Sequence, residues 1–139
     1  MKVSVLYRIA SVLLLLFAIG HTLGFTKTDS KWGVDTLLGS MRSIHFDVQG
    51  FDRSYWDFYV GFGLFVSVFL LFSAVLAWQL GGVPQQNLAS MRGIAWSFAV
   101  CFVLVAFLSG RFFFAVPIIF SVAIALCLIG AAWLSMRTR

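Results

Sequence analysis

Four long apolar runs dominate the chain, and short polar segments separate them. They predict membrane-spanning helices at about residues 6–25, 55–80, 93–108 and 112–134. Crossing a bilayer takes about 20 mainly apolar residues in a helix, and each run approaches or exceeds that length. The pattern therefore predicts an all-α fold, a four-transmembrane-helix bundle forming one integral membrane domain over residues 1–139. The first run also has the basic start and apolar centre of a secretory signal peptide, but it lacks a clear small-x-small cleavage site, so we expect a retained helix.

Polar and conformationally special residues predict where these helices end. Ser54-Tyr-Trp-Asp57 matches the capping box that starts a helix, with Asp in place of the preferred Glu. Glycines and a proline at 81–84 end the second span. A tight turn is predicted at 109–111, which makes the third and fourth helices antiparallel neighbours. Pro117 then falls in the second turn of the fourth helix, where it is compatible with a mild kink.

The connection 26–53 is too long for a bare turn and is predicted to be ordered. Ser30 is expected to cap a short helix over about 31–41, and Gly50 to break the chain before the second span. Apolar side chains in the connection make a solvated linker unfavourable, because each large one exposed costs about 1.5–3 kcal/mol. We expect this loop to fold back over the bundle.

Composition supports the membrane assignment. Hydrophobic residues make up 61% of the chain and charged residues 11%, against roughly 25% charged in soluble domains. The net charge of +5 does not indicate nucleic acid, because the ten basic residues are scattered at the edges of apolar runs. They fit topology signals and lipid headgroup contacts, which makes the lipid bilayer the predicted partner.

Basic and aromatic residues bear on orientation. The basic residues divide equally between the two membrane surfaces: Lys2, Arg8, Arg92, Arg137 and Arg139 on the terminal side, and Lys27, Lys31, Arg42, Arg53 and Arg111 on the other. Because the first helix often dominates orientation, Lys2 and Arg8 favour cytoplasmic termini in a bacterial inner membrane.

Two aromatic belts support four spans independently: Tyr7, Trp78, Trp96 and Trp133 on the terminal side, and Trp32, Trp56 and Tyr59 opposite.

Candidate chemistry concentrates at one membrane surface. All five carboxylates lie between residues 29 and 57, and His45 is one of two histidines. The helix order brings the end of the first helix, the start of the second and the turn between the third and fourth to the same leaflet. The predicted ligand-binding residues of this polar mouth are His21, His45, Asp47, Trp56, Asp57, Tyr59 and Arg111. Imidazoles and carboxylates there suit acid/base chemistry or ion pairing.

Structural roles explain the same residues. Asp57 at the third position of a helix is favoured by capping and by the helix dipole, and an Asp57–Arg111 ion pair would also be structural. His21 fits a hydrogen bond to a loop carbonyl, and His45 and Asp47 fit ordinary loop polarity. No metal site is predicted, because His45-Phe-Asp47 lacks a further ligand at a defined spacing, and no cofactor is predicted.

The segment Ser54-Tyr-Trp-Asp-Phe-Tyr-Val-Gly-Phe-Gly-Leu64, together with Gly20-His21, resembles a family of small bacterial four-helix integral membrane proteins of uncharacterised function. The general plan is also similar to DoxX-like proteins and to the EXPERA group, whose members hold a cationic ligand with acidic residues inside the bundle. The first resemblance implies the fold over nearly the whole chain and no catalytic residues.

Three functions remain open from the sequence. The leading hypothesis is a membrane protein that binds a small hydrophobic or lipid-like molecule under the loop-capped polar mouth. The second is a structural or accessory subunit that docks on a membrane-protein partner. The third is a membrane enzyme that uses His21, His45 and Asp57 on a lipid or isoprenoid. A cavity leading to Asp57 favours the first and third, whereas a filled core with exposed aromatic loop residues favours the second.

Overall fold

The computed structural model describes residues 2–136, which form ten elements of secondary structure. The helices are α1 (Val3–Gly24), α2 (Asp35–Ser43), α3 (Tyr55–Leu80), α4 (Gln85–Leu88), α5 (Arg92–Phe112) and α6 (Ala115–Met136). Two 3₁₀ turns cover Ser30–Trp32 and Ala89–Met91, and a hairpin is formed by β1 (His45–Val48) and β2 (Phe51–Ser54). The predicted all-α class is confirmed.

Four helices of the described range are long and apolar enough to cross a membrane: Val3–Gly24, Tyr55–Leu80, Gln85–Phe112 and Ala115–Met136. The chain is therefore built as an integral membrane protein. The second predicted span coincides with α3, and the other three are longer or shifted. Arg137 and Arg139, which entered the charge count, lie outside the described residues, and the orientation of the termini stays a prediction.

The predicted turn at 109–111 is wrong. Ser109 and Gly110 continue α5, which ends at Phe112, and the chain turns at Phe113 in an extended conformation. This places Pro117 third in α6, within the first turn rather than the second. The first backbone N–H groups of a helix have no partner within it, so proline costs no hydrogen bond there and α6 needs no kink.

By internal contacts the chain separates into two compact units. We call residues 18–69 the cap unit, and the described residues 2–17 and 70–136 the helix unit. The prediction of a single domain stays a prediction.

In the helix unit, α5 and α6 pack along stripes of mostly small residues. The buried stripe of α6 repeats at intervals of three and four residues: Ser121, Ile124, Ala125, Leu128, Ala131, Ala132 and Ser135. Small side chains let helix backbones approach closely, which is how helices pack where lipid removes the hydrophobic driving force. The Trp96 indole lies 3.5 Å from Met136 Sδ, which joins the start of α5 to the end of α6 and makes the pair antiparallel.

Helix α1 contacts both α3 and α6 through specific side chains. Ser11 Oγ donates a 2.7 Å hydrogen bond to the carbonyl of Ala74, and the rings of Phe17 and Phe120 stack with centroids 5.3 Å apart. A Cβ added at Gly130 would lie 3.2 Å from Leu6 Cδ1, so α1 runs close to the end of α6. The N-terminal half of α1 and the C-terminal half of α6 therefore lie together.

In the cap unit, the connection from α1 to α3 is ordered, as predicted, but its elements differ. Asp29, not Ser30, caps the first turn by accepting a 2.9 Å bond from the Lys31 amide. Gly33 then adopts φ +65°, a left-handed conformation that suits glycine and ends the turn. The predicted helix over about 31–41 is replaced by α2, which begins only at Asp35.

A β-hairpin follows where only a chain break was predicted at Gly50. Its strands are antiparallel with Val48 opposite Phe51, which leaves Gln49 and Gly50 as a two-residue loop. Both loop residues have positive φ, +54° and +85°, as a type I′ turn requires. Side chains alternate across the strands, so Phe46, Val48, Phe51 and Arg53 share one face, and His45, Asp47, Asp52 and Ser54 share the other.

Candidate functional site

Asp57 forms a complete capping box with Ser54. Its Oδ2 accepts hydrogen bonds from the Ser54 amide at 2.8 Å and from the Ser54 hydroxyl at 2.9 Å. In return, Ser54 Oγ accepts a 3.3 Å bond from the Asp57 amide. The capping pattern predicted from the sequence is thus confirmed. Asp can replace Glu here because β2 leads directly into α3 and brings the Ser54 amide within the reach of the shorter side chain.

His21 bonds to a helix carbonyl six residues beyond Asp57. Its Nε2 lies 3.0 Å from the carbonyl oxygen of Gly63, so that nitrogen carries the proton and donates. Six residues correspond to about 9 Å of helix rise along α3. The partner of His21 in the structure is thus the Gly63 carbonyl, and its predicted place beside Asp57 stays a prediction.

Phe25 and Gly63 explain why the imidazole stays in place. The Phe25 ring stacks on His21 at 5.2 Å between centroids, with an interplanar angle of 13°. A Cβ on Gly63 would collide with three atoms of the Phe25 ring. Glycine at 63 therefore leaves the space that the ring fills, and the ring holds the imidazole against the Gly63 carbonyl.

The two helices are also tied by hydroxyl groups. Thr22 Oγ1 donates to the Ala18 carbonyl at 2.7 Å and lies 2.8 Å from Ser67 Oγ. The Tyr59 hydroxyl donates a short hydrogen bond to the carbonyl of Phe25, just beyond the end of α1. This carbonyl is one that a helix end leaves without an internal partner, so Tyr59 acts as a side-chain cap.

Trp56 lies between a cation and an aromatic ring. The Arg42 guanidinium carbon is 4.1 Å from the centroid of the Trp56 ring, a cation–π contact. The rings of Trp56 and Tyr59 are 5.4 Å apart with a 32° tilt. Arg42 comes from the last turn of α2, so this contact attaches α2 to the first turn of α3.

The polar face of the hairpin carries the other predicted residues. His45 Nδ1 lies 3.2 Å from both carboxylate oxygens of Asp52, and both side chains are more than half exposed. Ion pairs this exposed contribute about 0–1 kcal/mol, so the pair is a weak stabiliser. Asp47 Oδ1 accepts a 3.0 Å hydrogen bond from the Gly50 amide and supports the hairpin turn.

Arg111 belongs to the helix unit, in the last turn of α5. Its guanidinium carbon lies 5.5 Å from the centroid of the exposed Phe112 ring. A cation in the last turn is favoured by the helix dipole. Its predicted partnership with Asp57 stays a prediction.

Local structure accounts for every acidic residue. Asp29 and Asp47 support turns, Asp52 pairs with His45, Asp57 caps α3, and Asp35 lies in the first turn of α2, where the helix dipole favours a carboxylate. Within residues 2–136, no group of three or more His, Cys, Asp or Glu side chains is placed to hold a metal ion. The carboxylates of the polar mouth are thus spread over separate local contacts.

A shallow groove lies against the apolar face of the hairpin. It has a volume of about 250 Å³ and is lined by Val48, Gln49, Phe51, Arg53 and Phe58. The Phe46 ring lies parallel to that of Phe58 at 6.1 Å and tilted against Tyr55 at 5.1 Å, so the apolar face rests on the first turns of α3. We call this feature the hairpin groove. None of the seven predicted site residues lines it.

Sequence reasoning missed the groove because it missed the hairpin. The signal was partly present: residues 45–48 alternate polar and apolar side chains, and Phe51 resumes the apolar positions after the pair Gln49-Gly50. The Arg42–Trp56 contact had no such signal, since the two residues are fourteen positions apart and meet only through the packing of α2.

No family model, curated protein or solved structure matches this chain. The resemblance to small bacterial membrane proteins and to the DoxX-like and EXPERA groups stays an expectation.

Proposed function

We propose that this integral membrane protein is a non-catalytic accessory subunit, and that its hairpin groove receives an apolar side chain of a membrane-protein partner. The observation that carries the proposal is the exposure of the groove's own walls. Phe51 is 60% exposed, Phe58 40% and Val48 37%. Large apolar side chains left exposed on an ordered element mark a docking surface when they occur together.

The size of the groove favours a protein over a small ligand. Ligand pockets usually measure about 300–1,000 Å³ and bury 70–90% of the ligand, whereas this groove is smaller and open. One aromatic or aliphatic side chain fits such a space, and single anchors of this kind supply much of the energy of protein interfaces. Arg53 at the rim would pair with an acidic group beside the anchor.

Other large apolar side chains of the cap unit are exposed as well. Trp32 is 64% exposed, Leu37 and Ile44 are each 60% exposed, and Tyr55 is 64% exposed. Trp32 precedes α2, Ile44 precedes β1, and Tyr55 follows β2, so the structured elements of the cap unit hold these side chains outward. Tryptophan and tyrosine are enriched at protein interfaces because they combine large area with few rotatable bonds.

Site-specific photo-crosslinking in membranes of the native cell tests this proposal. A photoreactive phenylalanine at Phe51 should give one discrete crosslinked protein, and Phe51→Ser should abolish the complex on native gels. The matched control is Phe72, an equally exposed phenylalanine in the apolar part of α3, which should crosslink to lipid alone. Identical products at both positions would refute the docking function, and a crosslinked dimer of this chain would identify the partner as a second copy.

A second function is supported by the aromatic cluster behind the groove, of which only Phe58 lines it. Phe46, Tyr55 and Phe58 are already in contact, so a small amphiphile could bind without rearrangement of the rings. Native mass spectrometry of the purified protein would then show a bound small molecule that Phe51→Ser removes and Phe72→Ser retains. No such mass increment is expected if the groove serves a protein partner.

A further inference from the structure

A second groove lies in the helix unit, along the N-terminal half of α1. It has a volume of about 490 Å³ and is lined by Ser4, Val5, Arg8, Ile9, Val12, Leu13 and Gly81. Except near Arg8 and Ser4, its side chains are aliphatic. We call it the Arg8 groove; it contains no residue of the cap unit and is independent of the function proposed above.

Arg8 is held in the wall of this groove by two features. Its guanidinium carbon lies 3.5 Å from the centroid of the Trp78 ring, a close cation–π contact. A Cβ on Gly81 would lie 3.2 Å from Arg8 Nε and 3.3 Å from Cδ, so glycine gives the arginine side chain the room that it occupies. The guanidinium is thereby fixed beside the chain that leaves α3.

The protein nevertheless does not provide a hydrogen-bond acceptor for every donor of this guanidinium. Arg8 Nη1 is buried and has no hydrogen-bond partner among residues 2–136. Arginine cannot lose its proton, and a buried N–H donor without an acceptor is costly. Nη1 itself is enclosed, so a phosphate would meet Arg8 at the part of the side chain that lines the groove, where the planar guanidinium suits paired phosphate oxygens.

We propose that the Arg8 groove binds one anionic phospholipid of the surrounding bilayer, with its phosphate at Arg8 and an acyl chain along Val5, Ile9 and Val12. Arg8 lies five residues from the start of α1, or about 7.5 Å of helix rise, and Trp78 is two residues from the end of α3. Tryptophan side chains gather at headgroup depth, so Trp78 places the guanidinium at the level of lipid phosphates. The aliphatic remainder of the groove then faces the acyl region.

A phospholipid suits both parts of the groove, whereas inorganic phosphate would leave the aliphatic part unfilled. A basic pocket at headgroup depth between membrane helices is a recognised kind of anionic-lipid site. An anionic headgroup is favoured over a zwitterionic one. The positive choline or ethanolamine group of a zwitterionic lipid would be repelled by Arg8, and no carboxylate in the groove would offset that repulsion. No acidic side chain lines this groove.

Native mass spectrometry of the whole protein in detergent tests the proposal, with phosphatidylglycerol and phosphatidylcholine of identical acyl chains as probes. We expect the first phosphatidylglycerol to bind about tenfold more tightly than phosphatidylcholine, because both lipids offer a phosphate to Arg8 but only phosphatidylcholine brings a positive group beside it. Arg8→Gln should remove that preference, and Arg92→Gln, which changes an exposed arginine of the same unit, should keep it. A preference that survives Arg8→Gln overturns the proposal.

A second variant keeps the test independent of the stability of Arg8→Gln. Val12 is half exposed, so Val12→Trp fills the groove without disturbing buried residues. This variant keeps Arg8 but should bind phosphatidylglycerol more weakly than the wild type. If Val12→Trp binds phosphatidylglycerol as wild type does, the aliphatic groove is not the lipid site. Displacement of the lipid by millimolar inorganic phosphate would show that Arg8 takes a free anion and would also overturn the proposal.

Discussion

The carboxylates of the cap unit and the buried serines of α6 form different kinds of hydrogen bond. In the cap unit, side chains of Asp29, Asp47 and Asp57 accept hydrogen bonds from backbone amides at the ends of turns and helices. In the helix unit, Ser121 and Ser135 bond back to carbonyls of their own helix. The first kind of bond decides where an element begins, whereas the second removes the cost of placing a small polar residue in a buried stripe.

Substitutions in the two units should therefore fail for different reasons. The long helices form wherever an apolar run is long enough, because backbone groups in lipid must be satisfied within the segment. Their packing depends on small residues. The connection between α1 and α3 in the cap unit has no comparable constraint on its backbone, and its conformation depends on caps, turns and a few fitted rings.

The largest effect is expected at Gly63. Gly63→Ala places a Cβ where the Phe25 ring lies, and that ring cannot move freely because it also contacts His21 and Tyr59. We expect a loss of stability of about 1–3 kcal/mol, the usual cost of overpacking. Thermal unfolding in detergent measures it.

Gly61→Ala is the matched control. It lies on the same helix, and a Cβ there meets nothing within 4 Å. Alanine is favoured over glycine in a helix by about 1 kcal/mol, so this variant should be as stable as wild type or more so. If both alanine variants unfold at the same temperature, the fitted-ring account of the cap unit fails.

An intermediate effect is expected at the capping box. Ser54→Ala removes the oxygen that accepts from the Asp57 amide and should cost about 1 kcal/mol, as for other N-caps. Asp57→Asn keeps an oxygen able to accept from the Ser54 amide and should melt close to wild type. The two melting temperatures, measured side by side, show whether Asp57 works through its shape or its charge.

The Asp57→Asn variant also tests the function predicted for that carboxylate. If Asp57 is only a cap, the crosslink from Phe51 should persist in the variant. A stable Asp57→Asn protein that no longer forms the crosslink would restore Asp57 to the binding site.

The smallest effect is expected in the helix unit, at Tyr7. Its side chain is fully buried and its hydroxyl has no hydrogen-bond partner among residues 2–136. Tyr7→Phe removes that unsatisfied group and keeps the ring, so stability should stay level or rise by up to about 1 kcal/mol. A clear loss on thermal unfolding would mean that the hydroxyl has a partner inside the protein, such as an enclosed water molecule.

The two units also differ in how far the sequence predicts them. Hydrophobicity located all four long helices, and the Ser54–Asp57 spacing located the start of α3, because both signals are local. The end of α5 and the start of α6 were misplaced because Ser109 and Gly110 are residues typical of turns, although here they continue α5. The contacts of His21 with Gly63 and of Arg42 with Trp56 depend on residues 42 and 14 positions apart, and no pattern in one sequence specifies such pairs.

The length of α3 has a consequence for its depth in the bilayer. Its 26 residues extend about 39 Å, whereas the hydrocarbon layer is about 30 Å thick. A helix that long either tilts by about 40°, the limit seen for membrane helices, or projects roughly six residues beyond the hydrocarbon. The excess at the N-terminal end covers Tyr55 to Val60 and includes Asp57. If α3 projects at that end, this carboxylate lies at the headgroups, and a bilayer thick enough to cover the whole helix would draw it toward the hydrocarbon.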